Sequence, residues 1–165
     1  VNNSVTFEPG ETTTSQQHNW ILFRYAEILL NYAEAMVNAY GDPDYTGSYS
    51  LSARDAVNQV RNRGDVKMPA YPADMSKDAF LKRLKNERRV EFAFEGQRFW
   101  DLRRWKELDD MQNIYKVKVV KQTDGTIQYT KALHATYNIQ DKMYFYPISN
   151  TELFKNHKLV QNTGW

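Results

Sequence analysis

The chain has 165 residues and carries 22 basic and 20 acidic side chains, for a net charge of +2. This length suits one domain or a large piece of one, and no apolar run is long enough to form a membrane-spanning helix. Cysteine is absent, which excludes disulfide scaffolds, thiol nucleophiles and thiolate zinc sites, whereas aromatic residues reach 14% and can serve both a core and a surface.

The first 19 residues are polar and contain a Thr-, Ser- and Gln-rich run typical of a linker or an exposed loop. They show neither the basic nor the apolar region of a signal peptide. Because the chain starts at Val1 without an initiator Met, we expect it to be the C-terminal fragment of a longer protein. The predicted division is a polar segment at 1–19 and one domain at 20–165.

Residues 23–40 have the strongest helical periodicity, and small or apolar side chains also occupy the opposite side, which predicts a helix packed between neighbours. The predicted apolar stripe consists of Tyr25, Ile28, Leu29, Tyr32, Ala33 and Met36. Gly41 is predicted to end this helix, and a second helix is predicted from Leu51 or Ser52 to Arg63, with Ser52 and Asp55 resembling a capping box. Two such helices form a hairpin of the kind that helical-repeat proteins stack.

Ser76 is predicted to cap a third helix, which Gly96 is predicted to break. The predicted buried side of this helix consists of Phe80, Leu81, Leu84, Phe92 and Phe94. Residues 99–105 predict one further short helix.

Beyond Leu108 the pattern changes to β-prone residues. Segments 115–120 and 127–129 flank Asp124-Gly125 and predict a β-hairpin. Residues 143–146 are predicted to be extended, and Ser149 with Glu152 predicts a capping box for a last short helix. The predicted fold class is therefore mainly α, with helix pairs, irregular loops and a small β-hairpin.

Residues 87–98 form the densest charged segment. On a helix, Glu87, Glu91 and Glu95 would fall four residues apart on one face. A glycoside hydrolase needs two carboxylates facing each other across a cleft, and Glu91 with Glu95 supplies one hypothesis of that kind. Nearby arginines would neutralise these carboxylates, so the favoured interpretation is a partly buried, structural ion-pair network. Its predicted members are Glu87, Arg88, Glu91, Glu95, Arg98 and Arg104.

Other catalytic and cofactor chemistry finds no support in the sequence. The three histidines are scattered without metal-ligand spacing, and neither a glycine-rich phosphate loop nor a nucleophile elbow is present. Between Lys82 and Lys106 the aromatic residues alternate with Glu and lie at core spacing, which disfavours nucleic-acid binding by the basic residues of this segment. The sequence thus predicts no catalytic residue, no cofactor and no metal.

Five aromatic rings lie in loop-like stretches, where a large ring is costly unless it is packed or used. Flat rings bind sugar faces through C–H contacts while neighbouring polar groups bind the hydroxyls. The alternative is that each ring attaches an irregular loop to the helical core, which is the commoner use. The candidate carbohydrate-binding rings are Tyr45, Tyr49, Tyr71, Tyr137 and Trp165.

Three groups of segments, in this order, resemble the C-terminal region of the SusD/RagB family of surface nutrient-binding lipoproteins from Bacteroidetes. The first is RYAEILLNYAEA at 24–35. The second combines VNQVRNR at 57–63 with ERRVEFAFEGQRFWDLRRW at 87–105. The third is YPISNTEL at 146–153, followed by Asn156 and by LVQNTGW at 159–165. All three lie in register over residues 20–165, which makes the resemblance specific.

The resemblance implies a scaffold of tetratricopeptide-like helix pairs with irregular loops. It implies a protein held at the outer membrane by a lipid on an upstream Cys, facing outward as a lid on a SusC-like TonB-dependent transporter. Such proteins capture glycans, or in some members peptides, for import and perform no catalysis. The matched motifs belong to the scaffold, so the resemblance assigns no ligand-binding residue to this chain.

The residues and the resemblance together leave four hypotheses about function. The favoured one is non-catalytic glycan capture as the C-terminal part of such a receptor. A helical scaffold that binds a protein partner and no ligand of its own is the second, a glycoside hydrolase using Glu91 and Glu95 is the third, and nucleic-acid binding is the least favoured.

Overall fold

The structure is a computed structural model that describes residues 21–64 and 66–165. The predicted polar segment at 1–19 lies outside the described residues. The chain divides into two compact units, with the boundary between Leu84 and Lys85. The described residues form five α-helices, a two-stranded antiparallel sheet and two short 3₁₀ turns, which confirms the predicted mainly α fold class.

The first unit is built on a pair of helices, α1 (Tyr25–Tyr40) and α2 (Ala53–Arg61). Gly41 ends α1 in the left-handed conformation with φ 79°, as the sequence predicts. Ser52 caps α2 by accepting a 3.1 Å hydrogen bond from the Asp55 backbone N–H. The buried faces of this pair consist of Leu29, Leu30, Ala33, Met36 and Val37 on α1 and Ala53, Ala56, Val57 and Val60 on α2.

Part of the predicted apolar stripe of α1 lies outside this core. Tyr25 is 69% exposed and Ile28 is 54% exposed, whereas Leu30 and Val37, which the predicted stripe omits, are fully buried. The buried stripe is therefore rotated around the helix relative to the predicted one.

The helix α3 (Lys77–Glu91) begins after Ser76, whose Oγ accepts a 3.3 Å hydrogen bond from the Ala79 backbone N–H. Phe80 and Leu84 are buried along it, as predicted. The helix ends at Glu91 and does not reach Gly96. Phe94 follows in a left-handed conformation with φ 66° and is fully exposed, so its predicted place on the buried side is wrong.

The second unit begins with the last turns of α3 and with α4 (Gln97–Arg104). Gly96, with φ 78°, is the residue that precedes α4, so its role is to start this helix and not to break α3. Helix α4 starts two residues earlier than the predicted segment 99–105.

The sheet of the second unit pairs β1 (Asn113–Lys121) with β2 (Ile127–Thr136). Both strands are longer than predicted, and the hairpin itself is confirmed. The turn holds Gly125 at φ 87°, and Thr126 donates hydrogen bonds from its backbone N–H (2.9 Å) and hydroxyl (2.7 Å) to the Asp124 carboxylate. These two hydrogen bonds lower the pKa of Asp124 because they stabilise its charged form.

The C-terminal stretch corrects two local predictions. Residues Asp141–Tyr144 form a 3₁₀ turn where residues 143–146 were predicted to be extended. The last helix, α5 (Asn150–Lys155), is present, but the Ser149 side chain makes no capping hydrogen bond. The Ser149 carbonyl oxygen instead accepts from the backbone N–H groups of Glu152 (2.9 Å) and Leu153 (3.1 Å). Among the described helices, none combines the length and apolarity needed to cross a membrane.

Candidate functional site

The charged segment forms a buried ion pair with a residue that the sequence analysis did not include in the network. Arg88 on α3 donates from Nε to Asp101 Oδ2 (2.8 Å) and from Nη2 to Oδ1 (3.0 Å). Both residues are only 3% exposed. Arg104 adds a 2.8 Å hydrogen bond from its Nε to Asp101 Oδ1. The Asp101 carboxylate thus joins α4 to α3 through Arg88 and pairs with Arg104 within α4. The bidentate geometry with Arg88 is the strong form of such a pair.

The remaining members of the predicted network lie in different surroundings. Arg98 pairs with Asp110 across 3.1 Å at the surface. Glu87 and Glu91 are half-buried on α3, Glu95 is exposed beyond its end, and each of the three has an interaction partner. Because α3 ends at Glu91, Glu91 and Glu95 do not share a helix face. The helical spacing on which the hydrolase hypothesis depends is therefore absent.

Two of the candidate rings, Tyr45 and Tyr49, meet a third ring that the sequence analysis assigned only to the helix. Tyr40, the last residue of α1, stacks on Tyr45 with ring centroids 4.3 Å apart and an interplanar angle of 24°. The Tyr40 and Tyr49 hydroxyls are hydrogen-bonded at 3.2 Å. All three rings remain partly open, with exposures of 44%, 37% and 47% for Tyr40, Tyr45 and Tyr49. We call these three residues the tyrosine cluster.

The arrangement of the tyrosine cluster depends on the glycine at position 47. Gly47 has φ 52°, a left-handed conformation that residues with a Cβ adopt only with strain. A Cβ at this position would collide with the Tyr45 hydroxyl oxygen and lie 2.7 Å from the Tyr45 Cζ. Position 47 must therefore lack a side chain for Tyr45 to hold its place on Tyr40. Within the cluster, the hydrogen bond with Tyr49 raises the pKa of Tyr40 above that of a free phenol, and the proximity of the Tyr49 phenol adds to this shift.

Tyr71 belongs to the core of the first unit and does not present an open ring. It is only 5% exposed, and its ring meets Phe80 edge-on at 5.8 Å. The guanidinium groups of Arg61 and Arg83 lie over the ring at 5.0 Å and 5.8 Å from its centroid. The loop position that made Tyr71 a candidate is correct, but its ring is covered.

The other two candidate rings lie in the second unit. Trp165 is 46% exposed, and its indole Nε1 is shared between the carbonyl oxygens of Lys142 (3.0 Å) and Phe145 (3.1 Å). Lys142 Nζ lies 4.5 Å from the indole centroid. These contacts anchor the C-terminal residue to the 3₁₀ turn.

Tyr137 is 56% exposed and lines a cavity of about 240 Å³ in the second unit, together with Phe99, Arg103 and Met143. Beside the cavity, Phe99, Trp100 and Tyr146 form an aromatic group with centroid separations of 5.0–6.1 Å. Sequence reasoning missed this group because Phe99 and Trp100 fall in a predicted helix. The two adjacent aromatic residues, with Arg103 one helical turn after Phe99, are the sequence feature that could have indicated this group.

The described residues contain no group of three or more His, Cys, Asp or Glu side chains that could hold a metal ion. Among the described residues, the features most relevant to function are the tyrosine cluster, the buried Arg88–Asp101 ion pair and the cavity beside Tyr137.

Comparison with known proteins agrees with this architecture. A sequence model of the SusD family matches residues 3–165. Two curated relatives from Formosa agariphila are similar to the chain, namely SusD-like protein P38, 37% identical over 90 residues, and SusD-like protein P2, 31% identical over 102 residues. These matches cover 51% and 59% of this chain but only 16% and 19% of the relatives.

The crystal structure of a SusD-like protein from Bacteroides fragilis matches 89% of this chain with a TM-score of 0.72 and 33% identity. The match covers 26% of that protein. The chain thus spans about a quarter or less of the proteins to which it is similar.

Proposed function

Because the chain belongs to the SusD family, we propose that it is part of a cell-surface receptor that captures glycans for import and performs no catalysis. The proposed partner is a SusC-like TonB-dependent transporter, and the proposed location is the outer membrane, through a lipid anchor outside this chain. The family membership and the likeness to SusD-like proteins support this proposal.

The tyrosine cluster is the observation within the chain that carries the proposal. Its three rings are fixed by stacking and by the hydroxyl–hydroxyl bond, and each keeps more than a third of its surface open. A rigid ring loses little conformational entropy on binding. Its apolar face accepts the C–H groups of a sugar while its hydroxyl can exchange hydrogen bonds with the sugar's hydroxyls. The cluster therefore has the chemistry of a small carbohydrate platform.

A helical scaffold that binds a protein partner is the second candidate. The exposed apolar side chains of α1 favour it, because Tyr25 and Ile28 are more than half exposed on a helix whose other face is buried. In the receptor proposal this property is compatible with glycan capture, since a transporter would be such a partner.

The experiment is a calorimetric titration of the full chain with a panel of neutral and acidic oligosaccharides, accompanied by an assay for released reducing ends. We expect saturable binding without hydrolysis. Tyr45→Ala is expected to weaken the binding roughly two- to tenfold, because one aromatic contact contributes on the order of 1 kcal/mol.

Tyr129→Ala is the matched control, because Tyr129 is a 66% exposed tyrosine on β2 outside the cluster. Equal losses in Tyr45→Ala and Tyr129→Ala would contradict the platform. Hydrolysis that disappears in Glu91→Gln would contradict the non-catalytic receptor.

A further inference from the structure

We infer that the cavity of the second unit binds a small monocarboxylate that carries an aromatic or branched aliphatic group. The inference is independent of glycan capture by the tyrosine cluster, because it rests on other residues. It combines three observations, which are the size and lining of the cavity, an unsatisfied buried donor on Arg103, and the charge around that arginine.

The size and lining suit a compact apolar group. The cavity measures about 240 Å³, and most of its wall comes from apolar side chains, namely Phe99, Leu108, Met111, Ile139 and Met143. An apolar cavity of roughly 150 Å³ already admits benzene, so a ring with a short substituent fits here. A bare sugar is a poor occupant, because its hydroxyls would lose water against walls that offer few hydrogen bonds.

Arg103 gives the cavity a polar anchor. Its guanidinium carbon lies 3.4 Å from the Phe99 ring centroid, and its Nη1 donates a 3.1 Å hydrogen bond to the Phe99 carbonyl oxygen. These contacts hold the guanidinium in place. Its Nε is buried and has no hydrogen-bond partner within the described part of the chain. A buried donor without an acceptor is rare in native proteins and calls for a partner.

The charges near Arg103 are compatible with an anionic partner. Asp101 is engaged by Arg88 and Arg104, Asp110 by Arg98, and Glu107 by Lys85. Asp101, Glu107 and Asp110 are thus already paired, and no carboxylate among the described residues forms an ion pair with Arg103. A carboxylate entering the cavity would bring the opposite charge to the guanidinium group of Arg103, which lines the cavity. Its planar shape matches the donor geometry of arginine.

The test uses sodium benzoate as the probe, with benzyl alcohol as its neutral counterpart, in calorimetric and NMR titrations of the full chain at constant ionic strength. We expect saturable benzoate binding in the millimolar range and clearly weaker binding of benzyl alcohol. Arg103→Gln is expected to weaken benzoate at least tenfold, because it removes a charge-assisted hydrogen bond. Ile139→Trp is expected to remove binding by filling the cavity while leaving Arg103 intact.

Arg98→Gln is the matched control, since it removes an arginine from the same helix outside the cavity lining. Circular dichroism verifies the fold of each variant, and Arg103→Lys replaces Arg103→Gln if the latter does not fold. Absence of saturable benzoate binding would overturn the inference. Equal affinity for benzoate and benzyl alcohol would overturn it as well, as would benzoate binding that survives either Arg103→Gln or Ile139→Trp.

Discussion

Helix α4 contributes to the Arg88–Asp101 and Arg98–Asp110 ion pairs, which differ mainly in their exposure to water. In the Arg88–Asp101 pair the side chains are 3% and 4% exposed, whereas in the Arg98–Asp110 pair they are 30% and 61% exposed. Water can replace the lost partner in the second pair but not in the first. A buried pair is costly to break because one charge is left without compensation, although its net contribution when intact is small. An exposed pair contributes little to stability when intact, and breaking it costs little.

The largest expected effect comes from Asp101→Ala. Removing this carboxylate leaves Arg88 buried without its partner and also releases Arg104. We expect the free energy of unfolding to fall by about 3–5 kcal/mol. Urea denaturation followed by circular dichroism measures this change.

Asp110→Ala serves as the control for Asp101→Ala, because it removes the same group from the exposed pair. A loss in Asp101→Ala no greater than that in Asp110→Ala would mean that burial does not distinguish the two pairs.

The same contrast between buried and exposed groups extends to the tyrosines. Tyr71→Ala is expected to lower the free energy of unfolding by about 3 kcal/mol, because it empties a packed site between Phe80 and two arginines. Thermal or urea denaturation of Tyr71→Ala beside Tyr129→Ala tests this, since Tyr129 is 66% exposed. If Tyr71→Ala instead left stability intact and weakened oligosaccharide binding, its assignment to the core would be wrong.

The smallest expected effect is that of Arg98→Ala. Loss of this half-exposed partner of Asp110 should change the free energy of unfolding by less than about 1 kcal/mol. The change should shrink further with added salt, because solvent-exposed charges are screened. Denaturation at low and high salt measures both quantities. A large, salt-independent loss would place Arg98 with the buried network after all.

Local signals predicted much of the fold. Gly41 and Ser52 were predicted correctly as the end of α1 and the cap of α2, because each acts through its own backbone geometry. The hairpin likewise follows from Asp124-Gly125 and the β-prone residues around it. The end of α3 was missed because no glycine or proline lies within the four residues after Glu91. The chain leaves the helix there by placing Phe94 in the left-handed region, which a bulky residue rarely adopts.

The candidate site was less predictable because burial depends on distant residues. Tyr45 and Tyr71 both occupy loops, yet only Tyr71 is covered, by arginines from α2 and α3. Tyr40 was missed because a helical position gives no indication that a later loop folds back onto it. Asp101 was missed because its partner Arg88 lies thirteen residues away on another helix. The sequence could indicate which residues are able to bind a ligand or form an ion pair, but only the fold shows which of them are in contact.

The backbone at Gly47 gives the tyrosine cluster a marker that can be recognised in sequence alone. Because even a methyl group there would collide with the Tyr45 phenol, related chains with any other residue at this position are expected to hold their aromatic side chains differently. Related chains could therefore be grouped by the residue at this one position before any ligand screen is attempted. Gly47→Ala is therefore expected to displace Tyr45 from Tyr40 while all three tyrosines remain in the chain.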